Sequence, residues 1–388
     1  PPTPPPTPPT PPHSLHDALP IFQYRPGSDV VVRYSAEVAW NGEPAKRETL
    51  AAASATDGPL PGTVTVTADT HLGPVSVGVW RWPFDPILDG LATAVTPAGI
   101  AEALGFDHRD ISLEVVSYRP TERAVVRVST TAGEVIAYVK VVPPGETTSI
   151  IARHAALINA GVPAPEVRSA DGDHGLLVLE PLAGPTLREL IKSDADGWPD
   201  TAEFDRLADA FAGVDLGAGT LPSRITDGAL HARMLAAVAP ELGDRLETLA
   251  ARFEETAPPT PNTTVHGDLH EAQLVVDDGH IVGVLDIDDA ARGAEVDDRA
   301  NLIARLMFRS TLDRDRRDRL ATYAATLRSA SIGRFDEATL DCHTAAALVG
   351  LATGPFRIQS PGWRSEVGAL IDVALARLPS MRELSATP

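Results

Sequence analysis

The sequence predicts an α+β protein with a β-rich first half and a helical second half, and three observations carry that prediction. Between Val30 and Val142, apolar β-branched residues recur in alternating runs of strand length. From Leu187 towards Val265, and again beyond Asp298, the apolar residues take up helical spacing. Between the two helical stretches lies Val265–Asp289, VHGDLHEAQLVVDDGHIVGVLDIDD, which gathers histidines, carboxylates and an amide onto short strands and a turn.

Composition narrows the function. A chain of 388 residues has room for two or three domains, each with its own core. A net charge of −20 argues against nucleic acid, which needs a basic face. No apolar run reaches membrane-spanning length, and the first residues show neither a basic nor an apolar leader segment, so a cytoplasmic enzyme without membrane partners is expected. Cys342 is the single cysteine, which excludes an internal disulfide and a multi-cysteine zinc site. Lysine is scarce: only Lys46, Lys140 and Lys192 occur. A lysine kept inside an apolar strand of so Arg-biased a chain therefore invites a functional reading.

Residues 1–20 are mostly Pro and Thr at their start and are expected to form an extended or disordered tail. Residues 21–105 read as a β-rich module, with strands at VVVRYSAEVAW, Thr63–Thr67 and Val75–Trp80, followed by a short helix Pro97–Leu104. Tyr24-Arg25-Pro26 with Val31-Val32-Arg33 is repeated as Tyr118-Arg119-Pro120 with Val125-Val126-Arg127, which points to an internal structural echo. Trp80–Pro86, WRWPFDP, is either a packed junction or a substrate-facing aromatic rim; packing is the more common use of such a cluster. Residues 113–142 then read as three antiparallel strands, LEVVSY, AVVRVST and EVIAYVKVV, with Lys140 on the third. The bland alternative for Lys140 is a gatekeeper on an edge strand. The turn Pro120–Arg123 has no glycine, so no phosphate-cradling loop is assigned there. The helix expected at Thr147–Ala160 contains no acid, and Glu146 just ahead of it is the nearest possible partner for Lys140. A strand follows at Leu176–Glu180, and Thr186 with Glu189 forms a capping box that opens the helical half.

In the acid-rich segment, Thr263–Val265 is a strand that ends at His266-Gly267-Asp268. Leu274–Val276 and Ile281–Leu285 are strands joined by the turn signal Asp277-Asp278-Gly279-His280. Asp268 thus sits where one strand empties into a loop, Gln273 just ahead of the hairpin, and Asp286 where the returning strand ends. A carboxylate, an amide oxygen and a second carboxylate around one point is what phosphoryl transfer from ATP needs. A rival reading takes His266, Asp268 and His270 as ligands of a hydrolytic metal centre.

HGDLHEAQ, then LDIDD, then Asp298-Arg299-Ala300 resemble the HGDLHxxN, IDxxx and DLA motifs of the aminoglycoside phosphotransferase-like branch of the protein-kinase-like fold. Gln273 stands for the usual Asn, as in the similar GDLHxxQ of maltokinases, and Arg299 stands for Leu, where packing more than chemistry is expected to change. The resemblance implies a two-lobed fold: a β-rich N-lobe over 106–182, a helical C-lobe over 183–388, and residues 21–105 as an added N-terminal cap. It implies an ATP- and Mg2+-dependent kinase acting on a hydroxyl of a small molecule, either a maltose-like sugar or an aminoglycoside. Asp268 would orient the hydroxyl and take its proton, Gln273, Asp286 and Asp288 would hold Mg2+, and Lys140 would brace the α/β-phosphates. Glu180 and Leu182, in a Glu-Pro-Leu resembling the family hinge, would meet adenine, while His266 and Asp298 would hold the loop. In the C-terminal helices, His343, Arg357, Gln359 and Trp363 are possible acceptor contacts. The missing helix acid and glycine loop keep open a different class, a nucleotide-binding pseudokinase that regulates a partner.

Overall fold

The computed structural model describes residues 21–24, 30–39, 44–54, 58–71, 73–104, 107, 110–217 and 219–378. The Pro/Thr-rich stretch 1–20 and the Arg25-Pro26 part of the repeat lie outside the described residues. The described residues fall into two compact units, those up to 86 with 357–361, and those of 87–356 with 362–378.

The first unit is an antiparallel sheet of β1 (Ile21–Tyr24), β2 (Val30–Val38), β3 (Lys46–Ser54), β4 (Val64–Thr70) and β5 (Gly73–Arg81), in the order β1-β2-β3-β5-β4. Strand β3, KRETLAAAS, has the composition of a helix. Pairing along its full length with β2, and with β5 on its other edge, overrides that propensity. Val31, Ala51, Ala53 and Trp80 form the core of this unit, so Trp80 is a packing residue here.

The second unit opens with α1 (Leu91–Ala94) and α2 (Pro97–Leu104). Leu91 and Ala94 are fully buried in it, so these helices group with the sheet that follows rather than with the cap, whose expected boundary was 105. That sheet comprises β6 (Ile111–Arg119), β7 (Arg123–Thr130) and β8 (Val135–Val141), then, after α3 (Thr147–Asn159), β9 (Val167–Asp171) and β10 (Leu176–Leu179). Its order, β6-β7-β8-β10-β9, repeats that of the first unit strand for strand. The register repeats as well: Tyr24 pairs with Val30, and Tyr118 with Ala124. The sequence echo between the two YRP segments is therefore an echo of topology. Strand β8 has β7 on one side and β10 on the other, so Lys140 is in the middle of a sheet and not an edge gatekeeper.

The helical part begins with α4 (Leu187–Ser193), α5 (Thr201–Ala212), α6 (Arg224–Val238) and α7 (Gly243–Glu255). The capping box of α4 forms as expected, with Thr186 Oγ1 accepting from the Glu189 N–H and the Glu189 carboxylate accepting from the Thr186 N–H. Four short strands follow: β11 (Thr263–Val265), β12 (Leu274–Asp277), β13 (His280–Val284) and β14 (Ala291–Gly293). β12 and β13 make the hairpin read from the sequence, and Asp278 at φ 43° and Gly279 at φ 79° supply the left-handed turn it needs. β11 pairs with β14, which brings the strand before the Asp268 loop against the strand after Asp286. The chain then runs through α8 (Glu295–Leu312), α9 (Arg317–Ser331), α10 (Glu337–Arg357) and α11 (Trp363–Leu375). One core joins α4, α5, the hairpin, α8 and α9; a second joins α6, α7, α10 and α11. Among the described residues, no helix is long and apolar enough to cross a membrane.

Candidate active site

The loop after β11 is held from behind. Gly267 adopts φ +90°, open to glycine at little cost, and a Cβ there would meet Leu221 Cδ1 at 2.8 Å. Asp298, buried near the start of α8, accepts the His266 N–H at 2.7 Å and the Gly267 N–H at 2.9 Å. Burial pushes its carboxyl pKa up, against the nearby His266 and the His266 N–H. The buried His266 ring spans the site: its Nδ1 accepts the Asp268 N–H at 3.3 Å, so Nε2 carries the proton and donates to the Leu285 carbonyl at 2.9 Å. His266 thus ties the Asp268 loop to the residue preceding Asp286. With both nitrogens engaged, it has no lone pair left for a metal, which removes the His266–Asp268–His270 centre from consideration.

Asp268 is the polar tip of this loop. Its Oδ1 receives Asn301 Nδ2 at 3.1 Å and, at 3.4 Å each, the Arg224 and Arg305 guanidiniums, whereas Oδ2 has His270 Nε2 at 3.9 Å. One oxygen is anchored and the other faces the site. Burial pushes the Asp268 pKa up, but Arg305, His270 and Arg224 outweigh it and hold the carboxyl below its usual range. Asn301 follows Asp298 by three positions on α8, so both point from one helix face to the loop.

Across the hairpin, Asp286 takes a left-handed conformation, φ 58° and ψ 47°, which directs its side chain out of β13 into a short turn over Ile287–Asp289. Lys140 Nζ lies 2.9 Å from Asp286 Oδ1 and also pairs with Asp288. These two aspartates, not Glu146, are the partners of Lys140 among the described residues. Asp288 is in turn held by α3: His154 Nε2 lies 3.2 Å from its Oδ1, and Arg153 donates to its backbone carbonyl. The helix that lacks an acid therefore reaches Lys140 through a histidine and a borrowed aspartate. Burial raises the Asp288 pKa, but His154 and Lys140 more than offset it and keep the carboxylate ionised.

Arg123 was not singled out by sequence. It opens β7 at the end of the glycine-free turn, and its Nη2 lies 2.9 Å from Asp286 Oδ2, with Nη1 3.6 Å from Asp289. Burial opposes its charge, but Asp286, Asp289 and Asp288 raise its pKa overall. In the same region Glu146 is pushed up by burial and then by Asp289 and Asp288. Asp286, Asp288, Asp289 and Glu146 thus face three cations, Lys140, Arg123 and Arg153, and the excess of carboxylate suits a divalent ion.

Gln273 is buried, and its Oε1 has no hydrogen-bond partner. Its carbonyl accepts the Leu285 N–H at 2.8 Å, which places the amide beside the end of β13, where Asp286 follows. An orphan amide oxygen next to a half-buried carboxylate is an all-oxygen donor pair, fitted to a hard cation that completes its shell with water and phosphate. Both Asp288 oxygens are engaged by His154 and Lys140, so this residue positions Lys140 more directly than it offers ligands. At the proposed hinge, the Glu180 N–H donates to the Glu166 carbonyl at 2.9 Å. Neither the Glu180 carbonyl nor the Leu182 N–H is used by a backbone bond among the described residues.

Several expected contacts have structural jobs. His343 is fully buried and its Nδ1 lies 2.6 Å from Asp297 Oδ1. Trp363 is buried in the α6–α11 core, edge-on to Phe356 at 5.2 Å. Arg357 and Gln359 fall in the 357–361 segment that groups with the first unit. Arg299 is buried and satisfied by Ser331 at 2.9 Å and Asp205 at 2.5 Å, a packing role as expected.

With this geometry in place, the comparisons define the class. The model of the phosphotransferase enzyme family matches residues 120–332, more than half of the chain. The chain belongs to that family and is a phosphotransferase enzyme. No curated protein matches it. Among solved structures, a thermostable mutant of aminoglycoside phosphotransferase APH(4)-Ia, in ternary complex with ADP and hygromycin B, superposes with a TM-score of 0.51 at 14% identity, over 74% of this chain and 99% of the other. Another structure of APH(4)-Ia gives a TM-score of 0.51 at 15% identity, over 74% and 100%. A choline/ethanolamine kinase family protein from Mesorhizobium loti gives 0.47 at 14% identity, over 74% and 94%. The two APH(4)-Ia likenesses establish the shared kinase-like fold.

Proposed function

We propose that the chain transfers the γ-phosphoryl group of ATP, with Mg2+, to a hydroxyl of a small molecule. The observation that carries this reading is the buried Lys140, drawn from the centre of its sheet onto Asp286 at 2.9 Å. A charged lysine inside an apolar strand costs several kcal/mol in desolvation unless its partners compensate it, and here those partners sit at the end of the hairpin. The fold of APH(4)-Ia, which has been solved with ADP and hygromycin B, supports a nucleotide donor and a hydroxylated acceptor. A reaction that draws on ATP suits the cytoplasm, as expected from the sequence.

On this reading Gln273 Oε1 and Asp286 would hold Mg2+, which would screen the charge of the triphosphate. Lys140 and Arg123, both beside Asp286, would meet the phosphates. Arg123 thereby supplies from a side chain what a glycine loop supplies from backbone. The hinge groups of Glu180 and Leu182 meet adenine. Asp268 Oδ2 accepts the acceptor hydroxyl and fixes its line of attack. Because its basicity is held down, proton removal comes late, as suits a loose transition state in which positioning does most of the work. His266 and Asp298 keep the loop in register, and Asp288 keeps Lys140 in reach. Of the two acceptor classes suggested by sequence, a sugar suits the arginines around Asp268 better than a polycationic aminoglycoside.

The test is the thermal midpoint with ATP, with MgATP, and with MgATP in Asp286→Ala. At a hundredfold excess over Kd, binding adds about 2.7 kcal/mol of stability, a shift of several degrees. A rise that needs Mg2+ and disappears in the variant is expected. The absence of any nucleotide-dependent shift in the unaltered chain would remove the proposal.

A further inference from the structure

Beside Asp268 lies a cleft of about 570 Å³, lined by Arg188, Glu271, Arg305, Phe308, Arg309 and Arg314 among others. Its volume is that of a small-molecule site. Arg305 belongs to both places, lining the cleft and reaching Asp268 at 3.4 Å. Asp298, Asn301, Arg305 and Arg309 follow at helical spacing on α8, so one stripe runs from the loop anchor to the cleft. At about 1.5 Å per residue, Arg309 sits about 12 Å along the axis from Asn301, within reach of a substrate whose hydroxyl meets Asp268.

The charges in this stripe do not balance. Arg188, Arg224, Arg305 and Arg309 face three carboxylates, Asp268, Glu271 and the buried Asp298. Glu271 is buried, and both Arg188 at 3.0 Å and Arg309 at 2.5 Å crowd onto its Oε1, while Oε2 has no hydrogen-bond partner. Arg305 Nε is likewise buried without a partner. At the rim, Asp313 is already tied to Arg316 at 3.0 Å, which leaves Asp315 as the other acid. Purely structural ion pairs would be expected to use the available donors and acceptors more evenly. A net positive cleft in a chain of charge −20 is a local arrangement, not a by-product of composition.

We propose that the acceptor carries an anionic group, phosphate or carboxylate, beside the hydroxyl to be phosphorylated, and that Arg305 and Arg309, with Arg188, bind that group. The proposal rests on Asp268 marking the acceptor side of the site. Guanidinium forks match such oxyanions in pairs, and a polycationic acceptor would meet like charge instead.

The test is isothermal titration of the full chain, with Mg–AMP-PNP already bound, using inorganic sulfate and glycerol 3-phosphate as probes and kanamycin as the cationic control. Saturable binding of the anions is expected, weakened at least tenfold by Arg309→Gln and tightened by Glu271→Gln, which removes the competing carboxylate. Opposite signs separate charge from misfolding, since misfolding weakens binding in both variants. The proposal falls if neither anion binds saturably, if Arg309→Gln leaves binding unchanged, if both variants weaken it, or if kanamycin binds better than the anions. Should Mg–AMP-PNP itself fail to bind, the phosphotransfer reading fails separately, and the same titrations on the nucleotide-free chain decide the anion site by the same criteria.

Discussion

His270 provides a direct measure of the site's electrostatics. Its Nδ1 accepts the Ala272 N–H at 3.2 Å, so the ring must be unprotonated there to keep that bond. Burial, and then Arg305, push its pKa down from 6.5 to about 4, with Asp268 and Glu271 only partly resisting. The unfolded chain takes up a proton at this position near pH 6.5, whereas the folded chain does not until near pH 4. Stability contributed by neutral His270 is therefore complete above the unfolded value and is lost as pH falls through that window. The limiting loss is about 3 kcal/mol, and about 2 kcal/mol of it has gone by pH 5.

Urea unfolding at pH 7.5 and pH 5, on the unaltered chain and on His270→Asn, reads this out. The Asn amide oxygen can still accept the Ala272 N–H but does not titrate. The loss of stability between the two pH values should be smaller in the variant by about 2 kcal/mol. Glu271, held down to about 2 by Arg188 and Arg309 against the opposing effect of burial, titrates below this range. Carboxyls raised by burial act on both chains alike and cancel in the difference. Equal pH slopes in the two chains would refute the reasoning.

Two further outcomes follow from the same geometry. Lys140→Met leaves Asp286 and Asp288 facing each other without their shared cation, and loss of one partner of a buried pair costs about 3–5 kcal/mol; a denaturant midpoint matching the unaltered chain would show that the ion cluster contributes nothing. Gly267→Ala forces a β-carbon into a left-handed conformation against Leu221, a cost of about 1–3 kcal/mol. Its unfolding midpoint should drop with an unchanged denaturant slope, and a neutral result would mean that the loop relaxes freely.

What the sequence made legible was local. The hairpin over Asp278-Gly279, the capping box at Thr186 and the three strands around Lys140 rest on contacts between near neighbours, and each appears where the pattern placed it. β3 escaped because its alanines become a strand only through pairing with β2 and β5. Arg123 and His154 escaped for a related reason: their partners Asp286 and Asp288 lie 163 and 134 positions further along the chain. Asn301 was within reach, since an amide three residues after Asp298 on a helix faces the same way. The acid partner of Lys140 was sought at α3, because a kinase lysine is usually matched by an acid on that helix. Here α3 contributes His154, and the acid comes from the end of the hairpin.

The two sides of the site carry opposite imbalances, and this orders the events. Around Asp286, carboxylates outnumber cations, so a metal–nucleotide complex, on the proposed reading, would bring the positive ion that this side lacks. Around Asp268, guanidiniums outnumber carboxylates, so the proposed anionic acceptor would be drawn to the opposite wall and not into the metal pocket. Two anionic substrates would then approach within bonding distance without facing the full repulsion between them, because each would be neutralised from its own side. An acid-rich metal pocket on both walls would favour a cationic acceptor, and a basic pocket on both would bind the nucleotide without its metal. On the proposed reading, this arrangement would select for a metal-bound nucleotide on one wall and an oxyanion on the other, with the hydroxyl oriented between them by a weakly basic Asp268.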